Sequence, residues 1–424
     1  MKKPTVTLCM IVKDESHIIE QCLTSMAKYV DRYDITDTGS TDGTQDLIKK
    51  TMDKLGVPGE VHQSDWKGFG DHAGKIGSRT ESLQNVEASG AEYAWVIDAD
   101  DYIEGDFQYP DNMTADCYSL RIGRSDFTWW RNQIFKLSEK WKYVGILHEY
   151  ADCEKDREQI VNEKLDHHNY RIIARTEGNR NVGVEPVEKY KRDAKVLEGA
   201  LEEEPNNERY WFYLAQSYFD SQQWEKSLDA YTKRVELGGW PEEVYYSMLR
   251  CAIIKGVLEK PFEEVQNEFL KVYNYRPIRA EALWFLSRMC RANDLPAVAY
   301  MYARIAYEIP YPEHDILFVQ DDVYRWGILD EIGATAFYAG KPETGFQACK
   351  KLLEENLVPR EHAERVQSNY NSYINVMNDI NKQNERPLAD PSNNKSQENT
   401  KNKVKKRTKI PAKTGYKKRT KQKT

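Results

Sequence analysis

The chain has 424 residues, of which 40% are hydrophobic and 12% aromatic, and its net charge at pH 7 is −7. This length and apolar content predict two or three folded domains. The seven cysteines form no Cys-x-x-Cys pair, which disfavours a zinc site or a disulfide framework and predicts a reducing, cytoplasmic compartment. The apolar run Val6–Val12 is too short for a signal peptide or a membrane span, so no transmembrane segment is expected.

The first part of the chain, residues 1–178, alternates predicted strands with predicted helices. Short apolar runs and apolar residues at three-to-four spacing predict the strand Thr5–Val12, the helices Ser16–Ala27, Thr44–Leu55 and Ser78–Ala88, and the strand Tyr93–Ile97. This alternation predicts an α/β fold with a mostly parallel, Rossmann-like sheet and helices on both faces. The polar segment Asp31–Thr36 is an unusual strand candidate between the first two helices.

Polar motifs stand where two of these strands end. The loop Asp37–Thr44 contains two glycines that permit tight turns, and Asp37 could accept hydrogen bonds from a base or a ribose. The later run ends in Asp98, Asp100 and Asp101. Asp98 and Asp100 are two residues apart, so on an extended chain both point the same way, as hard ligands for Mn²⁺ or Mg²⁺. The alternatives are an ordinary capped turn and an acidic loop.

Residues 179–379 lose the strand signals and predict an α-helical domain. Aromatic and aliphatic residues fall at the spacings of the tetratricopeptide repeat (TPR), a pair of helices, at Trp211, Leu214, Ala215, Tyr218 and Tyr231. A weaker match occupies Ala282, Phe285, Leu286, Val298, Tyr302 and Pro310, and Ile328–Glu355 predicts a further pair broken at Gly340. Such pairs stack on one another to cover their apolar faces.

The last segment, residues 380–424, is rich in Asn, Lys, Gln, Ser and Pro and predicts disorder. Its final part, residues 401–424, carries twelve Lys or Arg and no acid, so the rest of the chain has a net charge of −19. An acidic body with a basic tail predicts either contact with an acidic partner or a purely solubilising tail.

Together these motifs resemble the family 2 glycosyltransferases of the GT-A fold. The resemblance covers roughly residues 4–240 and is carried by the opening strand Leu8–Glu15, the loop Asp37–Thr44 and the acidic run Asp98-Ala99-Asp100-Asp101. The subgroup that is fused to TPR-like repeats also has a Gly-x-x-His-Glu element, which is present here as Gly145 to Glu149.

The resemblance implies roles for particular residues. It implies that Asp14 and Glu15 lie near the nucleotide base and that Asp37 binds uracil or ribose. It implies that Arg79 lies near the diphosphate and that Asp98 contacts ribose or the metal. Asp100 is then the principal metal ligand, and Asp101 lies near the acceptor or a metal-bound water. A catalytic base is expected downstream, with Glu149 as the first choice and His148 as the second. Trp129-Trp130-Arg131 predicts either a sugar platform or, preferably, packed aromatic residues.

The expected function is metal-dependent transfer of a hexose from a nucleotide sugar, most readily a UDP-sugar, to a protein, peptide or glycan acceptor, with inversion. Homodimerisation through the repeats is also expected. Two other functions stay open. One is a non-catalytic TPR-like scaffold with a relic first domain. The other is a nucleotidyltransferase, which needs a Gly-rich basic phosphate loop, whereas Lys13-Asp14-Glu15 is acidic.

Overall fold

The computed structural model describes residues 4–124, 127–166, 169–175, 177, 178, 183 and 185–384. They form a sheet with flanking helices and a region of helical repeats, and the chain divides after Leu237 into two compact units, called unit 1 and unit 2. The domain boundaries predicted at residues 178 and 379 stay predictions. The basic tail beyond residue 384 lies outside the described residues. Among the described residues, no helix has the length and apolar character required to cross a membrane.

Unit 1 contains every strand of the described residues and six helices. The strands are β1 (Val6–Val12), β2 (Arg32–Asp37), β3 (Gly59–Gln63), β4 (Tyr93–Val96), β5 (Tyr102–Gly105), β6 (Cys117–Arg124), β7 (Phe127–Lys136), β8 (Lys142–Val144), β9 (Tyr150–Asp152), β10 (Asn162–Lys164) and β11 (Tyr170–Ile173). The helices are α1 (Ile19–Met26), α2 (Thr44–Leu55), α3 (Ser78–Ala88), α4 (Pro186–Glu203), α5 (Glu208–Asp220) and α6 (Trp224–Leu237).

The main sheet is parallel in its first half and mixed in its second. Strands β3, β2, β1 and β4 lie side by side in that order and all run parallel. Beyond β4, strand β7 pairs antiparallel with both β4 and β6. Only two residues separate β6 from β7 in the sequence, a connection short enough for antiparallel neighbours. Strands β10 and β11 pair parallel with β6, and β5 pairs antiparallel with β11. The prediction of a mostly parallel sheet is therefore correct for the half formed by β3, β2, β1 and β4.

The central strands are covered on both faces, which explains their nearly continuous apolar runs. On β1, Leu8 belongs to the hydrophobic cluster that includes Ile19 of α1 and Trp95 of β4. The next residue, Cys9, belongs to a second cluster with Leu83 of α3. Successive side chains on a strand point to opposite faces, so α1 and α3 cover opposite sides of the same sheet.

Strand β2 is polar in sequence yet buried because its charged groups are paired within the sheet. Asp34 is only 1% exposed. Its carboxylate accepts a hydrogen bond from Nε of Arg32 and lies 3.0 Å from Nε2 of His62 on the neighbouring strand β3. The paired carboxylate avoids the cost of burying an uncompensated charge. This explains why an apolar strand pattern is missing from Asp31–Thr36.

Unit 2 consists of helices and connecting loops in its described residues. Its helices are α7 (Pro241–Val257), α8 (Phe262–Tyr275), α9 (Glu281–Ala292), α10 (Pro296–Tyr307), α11 (Ile328–Thr335), α12 (Pro342–Glu354) and α13 (Arg360–Asn384), with one π-helical turn at Val323–Gly327. Neighbouring helices pack as pairs around a core that includes Tyr245, Phe269 and Leu286. The predicted break at Gly340 is confirmed, and this glycine has a positive φ of 68°.

The seven cysteines are all buried and none is in a disulfide. Burial raises the pKa of Cys9 and of Cys117 to about 12, so each stays a thiol at neutral pH. We expect a thiol reagent at pH 8 to label less than one cysteine rapidly in the native protein, and all seven after denaturation. Rapid labelling of several thiols in the native protein would contradict this packing.

Candidate functional site

The acidic residues predicted from the motifs lie at one edge of the sheet. Asp37 is the last residue of β2, Asp14 follows β1 by two residues, and Asp98 follows β4 by two residues. Strands β2, β1 and β4 are parallel neighbours, so their carboxyl ends meet. Open α/β sheets bind ligands at such an edge. We call these residues, with Glu15, Arg79, Asp100, Asp101, Arg131 and Glu149, the carboxyl-edge site.

The turn after β2 is organised by two carboxylates. Oδ1 of Asp37 accepts hydrogen bonds from the backbone N–H groups of Gly39 and Ser40, at 2.9 and 2.8 Å. Oδ1 of Asp14 accepts from the backbone N–H of Thr41 at 2.7 Å. Asp14 itself has a positive φ of 55°, and its N–H donates to the Ser40 hydroxyl. Asp14 therefore shapes the turn, and a contact between its side chain and a base stays a prediction.

The helix that follows this turn is tied back to the chain after β1. The N–H of Glu15 donates to Oγ1 of Thr44, and the N–H of Ser16 donates to Oδ2 of Asp42. Burial opposes ionisation of Asp42, but hydrogen bonds from Thr44 and Ser16 lower its pKa below the usual range. The eight-residue motif is thus a preformed turn that joins the ends of two strands.

The two carboxylate oxygens of Asp37 differ in their partners, since Oδ1 accepts the hydrogen bonds of the turn and Oδ2 does not. The residue is 1% exposed, and its buried Oδ2 has no hydrogen-bond donor among the described residues. A buried carboxylate oxygen without a donor is costly, and such groups in native structures call for an explanation such as a missing ligand. The N–H of a base or a ribose hydroxyl would supply the donor.

Asp98 lies between two arginines. Nη2 of Arg79, on α3, donates to Oδ1 of Asp98 at 2.7 Å, and Nη1 of Arg131, on β7, donates to Oδ2 at 3.0 Å. Burial would raise the pKa of Asp98, but the two guanidinium groups outweigh it and hold the pKa well below the usual range. Both oxygens of Asp98 are therefore occupied by cations of the protein, and its predicted contact with ribose or metal stays a prediction.

Arg79 also joins the predicted base to this cluster. Its Nε lies 2.6 Å from Oε1 of Glu149, whose side chain is 12% exposed. The Arg79 guanidinium is enclosed by the rings of Phe69 and Tyr143, at 5.8 and 5.7 Å from their centroids. Glu149 is thus within the carboxyl-edge site. The ring of His148 instead stacks on Tyr213 of α5, with centroids 4.0 Å apart.

The segment after β11 covers the two remaining acids. The backbone N–H of Gly178 donates to Oδ2 of Asp100 at 3.1 Å, and Nε of Arg175 donates to the Asp100 carbonyl at 2.7 Å. The backbone N–H of Arg175 donates to Asp101 at 3.3 Å. Burial and the neighbouring charge of Asp98 raise the pKa of Asp101 above its usual range.

The fit of a divalent cation depends on which of these oxygens remain available. Asp98 has both oxygens on arginines, and among the described residues the hydrogen bond to Asp100 goes to Oδ2. Within the described residues, no group of three or more His, Cys, Asp or Glu side chains is placed to hold a metal ion. Mg²⁺ is commonly held by one or two carboxylates together with substrate phosphates. Asp100 fits that pattern as one protein ligand.

The structure brings two arginines, Arg131 and Arg175, to the acidic residues of this site by contacts that the sequence does not predict. The sequence predicts Arg131 only as part of an aromatic sugar platform, yet its guanidinium contacts Asp98. Trp129 packs partly against the core, as preferred for that pair, and Trp130 lies under the Lys164 ammonium group. Arg175 had no sequence signal. Both arginines reach the site through pairing of strands that lie far apart in sequence.

Comparisons with known proteins find similar solved structures but no matching family. No family model matches the chain, and no curated protein matches it. Similar solved structures include MamA (14% identity, 40% of this chain and 90% of that chain, TM-score 0.32) and BtubC from P. vanneervenii (13%, 50% and 81%, 0.32). YrrB, described as a TPR protein with an unusual peptide-binding site, is 12% identical over 45% of this chain and 85% of its own, with a TM-score of 0.30.

The assignment to the family 2 glycosyltransferases made from the motifs is wrong as a statement of family. No family model and no curated protein matches the chain, and none of the similar structures named above is described as a glycosyltransferase. The chain combines a mixed α/β sheet with a region of helical repeats.

Proposed function

We propose that unit 1 binds a nucleotide sugar, most readily a UDP-sugar, together with Mn²⁺ or Mg²⁺, and transfers the sugar to an acceptor. The finer assignment of the sheet to a GT-A fold belongs to this proposal. The observation that carries it is the convergence of Asp37, Asp98 and Asp100 at the carboxyl ends of adjacent parallel strands, with Arg79 and Arg131 both bound to Asp98. A nucleotide can bind along these strand ends, with its nucleobase near Asp37 and its diphosphate near Asp98 and Asp100.

Each residue of the site has a separate role in the proposed reaction. Oδ2 of Asp37 accepts a hydrogen bond from the nucleoside, because this oxygen is buried and has no donor among the described residues. Arg79 and Arg131 hold the anionic diphosphate beside Asp98. Asp100 would hold the divalent cation, which when bound neutralises charge on the diphosphate. Preorganised charges of this kind favour departure of the nucleoside diphosphate.

Glu149 takes the proton in this scheme. The acceptor hydroxyl loses its proton to a Glu149 carboxylate oxygen, and its own oxygen bonds to the anomeric carbon. The bond between that carbon and the diphosphate oxygen breaks, and the electron pair leaves with the nucleoside diphosphate. Arg79 positions Glu149, because its Nε lies 2.6 Å from Oε1 of Glu149. The Arg79 side chain therefore holds both Asp98 and the catalytic base Glu149.

Calorimetric titration of UDP in the presence and absence of Mn²⁺ tests the nucleotide site. We expect Mn²⁺-dependent binding to the wild-type chain, and about 10–100-fold weaker binding for Asp100→Asn, which removes the proposed cation ligand. Asp111→Asn is the matched control, because Asp111 is an exposed loop residue away from the sheet edge. Equal binding by both variants would show that Asp100 does not hold the cation.

A panel of UDP- and GDP-sugars then tests the reaction itself. Release of nucleoside diphosphate in the presence of Mn²⁺ supports sugar transfer, and release of pyrophosphate from nucleoside triphosphates would support a nucleotidyltransferase. Absence of turnover of every donor, together with absence of Mn²⁺-dependent UDP binding, would overturn the transferase proposal.

A non-catalytic scaffold is the second candidate, and one feature of unit 2 favours it. Helix α10 exposes the apolar side chains of Met301 and Ile305, one helical turn apart, and Leu295 just before the helix is exposed as well. Exposed apolar residues on stacked helices are typical of surfaces that bind peptides or a second copy of the chain. Light scattering of wild type and Met301→Glu distinguishes self-association, which the substitution should abolish, from a monomeric state.

A further inference from the structure

A cavity of about 500 Å³ lies in unit 1 beside the carboxyl-edge site. Its described lining comes from the loop before α3, the loop after β8 and one face of α4. The contributing residues on α4 are Lys189, Arg192, Asp193 and Val196, which share a face because they are three, four and seven residues apart. The volume is in the range of cavities that hold one small molecule or one terminal group of a larger one.

The cavity adjoins the predicted base. Phe69 lines it, and the ring of Phe69 also contacts the Arg79 guanidinium that pairs with Glu149. Leu147, which also lines the cavity, precedes Glu149 by two residues. The backbone N–H of Arg79 donates to the Phe69 carbonyl at 2.9 Å, which fixes this wall to the start of α3. A ligand in the cavity therefore lies next to the residues that hold the base.

The lining has a mixed apolar and cationic character. Trp66 and Phe69 pack edge to face with centroids 4.7 Å apart, and Trp66 is 45% exposed. Aromatic faces of this kind stack on sugar and aromatic rings. Lys189 and Arg192 add two positive charges from α4, and the buried Asp193, the one carboxylate among the described lining residues, offsets one of them. The ammonium group of Lys67 is already paired with Glu81 at 2.7 Å.

We propose that this cavity binds the acceptor, and that the bound group is a ring that bears one phosphate or carboxylate. The ring lies against Trp66 and Phe69, the anionic group contacts Arg192 and Lys189, and a ring hydroxyl faces Glu149 and loses its proton to it as the new bond forms. The acceptor role rests on the proposed transferase function. The ring-and-anion selectivity follows from the lining alone and can be measured without a donor.

Saturation-transfer NMR with glucose 6-phosphate and glucose as probes of the full chain tests the selectivity. We expect glucose 6-phosphate to bind more tightly than glucose by about tenfold, because one charge-assisted contact contributes that much. Arg192→Gln should remove this preference, and Lys195→Gln, an exposed residue of the same helix outside the cavity, should leave it intact. Trp66→Ala should weaken both probes.

The same variants separate this proposal from the function on which it rests. Arg192→Gln should leave Mn²⁺-dependent UDP binding unchanged, because Arg192 is not part of the carboxyl-edge site. Glucose 6-phosphate binding that is insensitive to Arg192→Gln, or absent from the wild-type chain, overturns the cavity proposal even if UDP binds. Binding that depends on Arg192 in a chain that neither binds UDP nor turns over any donor supports the ring-and-anion selectivity but overturns the acceptor role and the transferase proposal together.

Discussion

Replacing Arg79 with Met should lower the free energy of unfolding of unit 1 by about 3 kcal/mol, the lower end of the range for a broken buried ion pair, because Asp98 and Glu149 are only partly exposed and lose their shared cation. Arg79 is 8% exposed and contacts both Asp98 and Glu149. Burial would lower the pKa of Arg79, but Asp98 and Glu149 outweigh it and raise the pKa, so this guanidinium stays charged at every working pH. Asp98 retains Arg131 in the variant, whereas no other cation is paired with Glu149 among the described ion pairs.

Urea unfolding followed by circular dichroism measures this loss. Lys75→Met is the control, because it also replaces a cation with Met but breaks only the exposed pair with Glu203, which should contribute less than about 1 kcal/mol. A similar midpoint for both variants would mean that the Arg79 cluster contributes no more than a surface ion pair. UDP binding by the folded fraction of Arg79→Met should be lost as well.

Replacing Arg279 with Met should destabilise unit 2 by about 3–5 kcal/mol. Arg279 is fully buried, and its guanidinium contacts Glu281 at 2.7 Å and Asp315 at 3.1 Å, both of which are buried. The guanidinium also lies over the Tyr245 ring, 4.7 Å from its centroid. Without it, Glu281 keeps hydrogen bonds from Tyr245 and Tyr324 but loses its counter-charge.

The test compares Arg279→Met with Arg304→Gln, which removes an exposed ion pair with Glu308 one turn along α10 and should cost about 0.3–0.5 kcal/mol. The double variant Arg279→Met, Glu281→Leu should regain part of the loss, because it removes the stranded charge together with its partner. A single variant as stable as Arg304→Gln would show that Glu281 and Asp315 do not depend on Arg279.

Helices whose apolar residues repeat at regular spacing could be predicted closely from the sequence. The predicted bounds Thr44–Leu55 and Ser78–Ala88 are those of α2 and α3. The first predicted helix, Ser16–Ala27, begins later, at Ile19, because the Glu15 carbonyl accepts from both Ile18 and Ile19 and closes a turn before the helix. Such a turn depends on backbone hydrogen bonds that apolar spacing does not reveal.

The carboxyl-edge site could be predicted only in part, for a physical reason. Asp37, Asp98 and Asp100 end or follow strands, so strand order and direction are enough to bring them to one edge. Arg131 and Arg175 arrive by a different route, on an antiparallel strand and on the segment after β11. Their contacts with Asp98 and Asp100 depend on pairings between strands far apart in sequence, which no local pattern encodes.

The turn after β2 has a thermodynamic consequence for any ligand that binds there. Asp37 and Asp14 accept the backbone N–H groups of Gly39, Ser40 and Thr41, so the turn acquires its shape when the chain folds. A ligand that meets an ordered turn loses little affinity to conformational entropy. Amide hydrogen exchange at these three positions should therefore already be slow in the free protein, and a bound nucleotide should change it little.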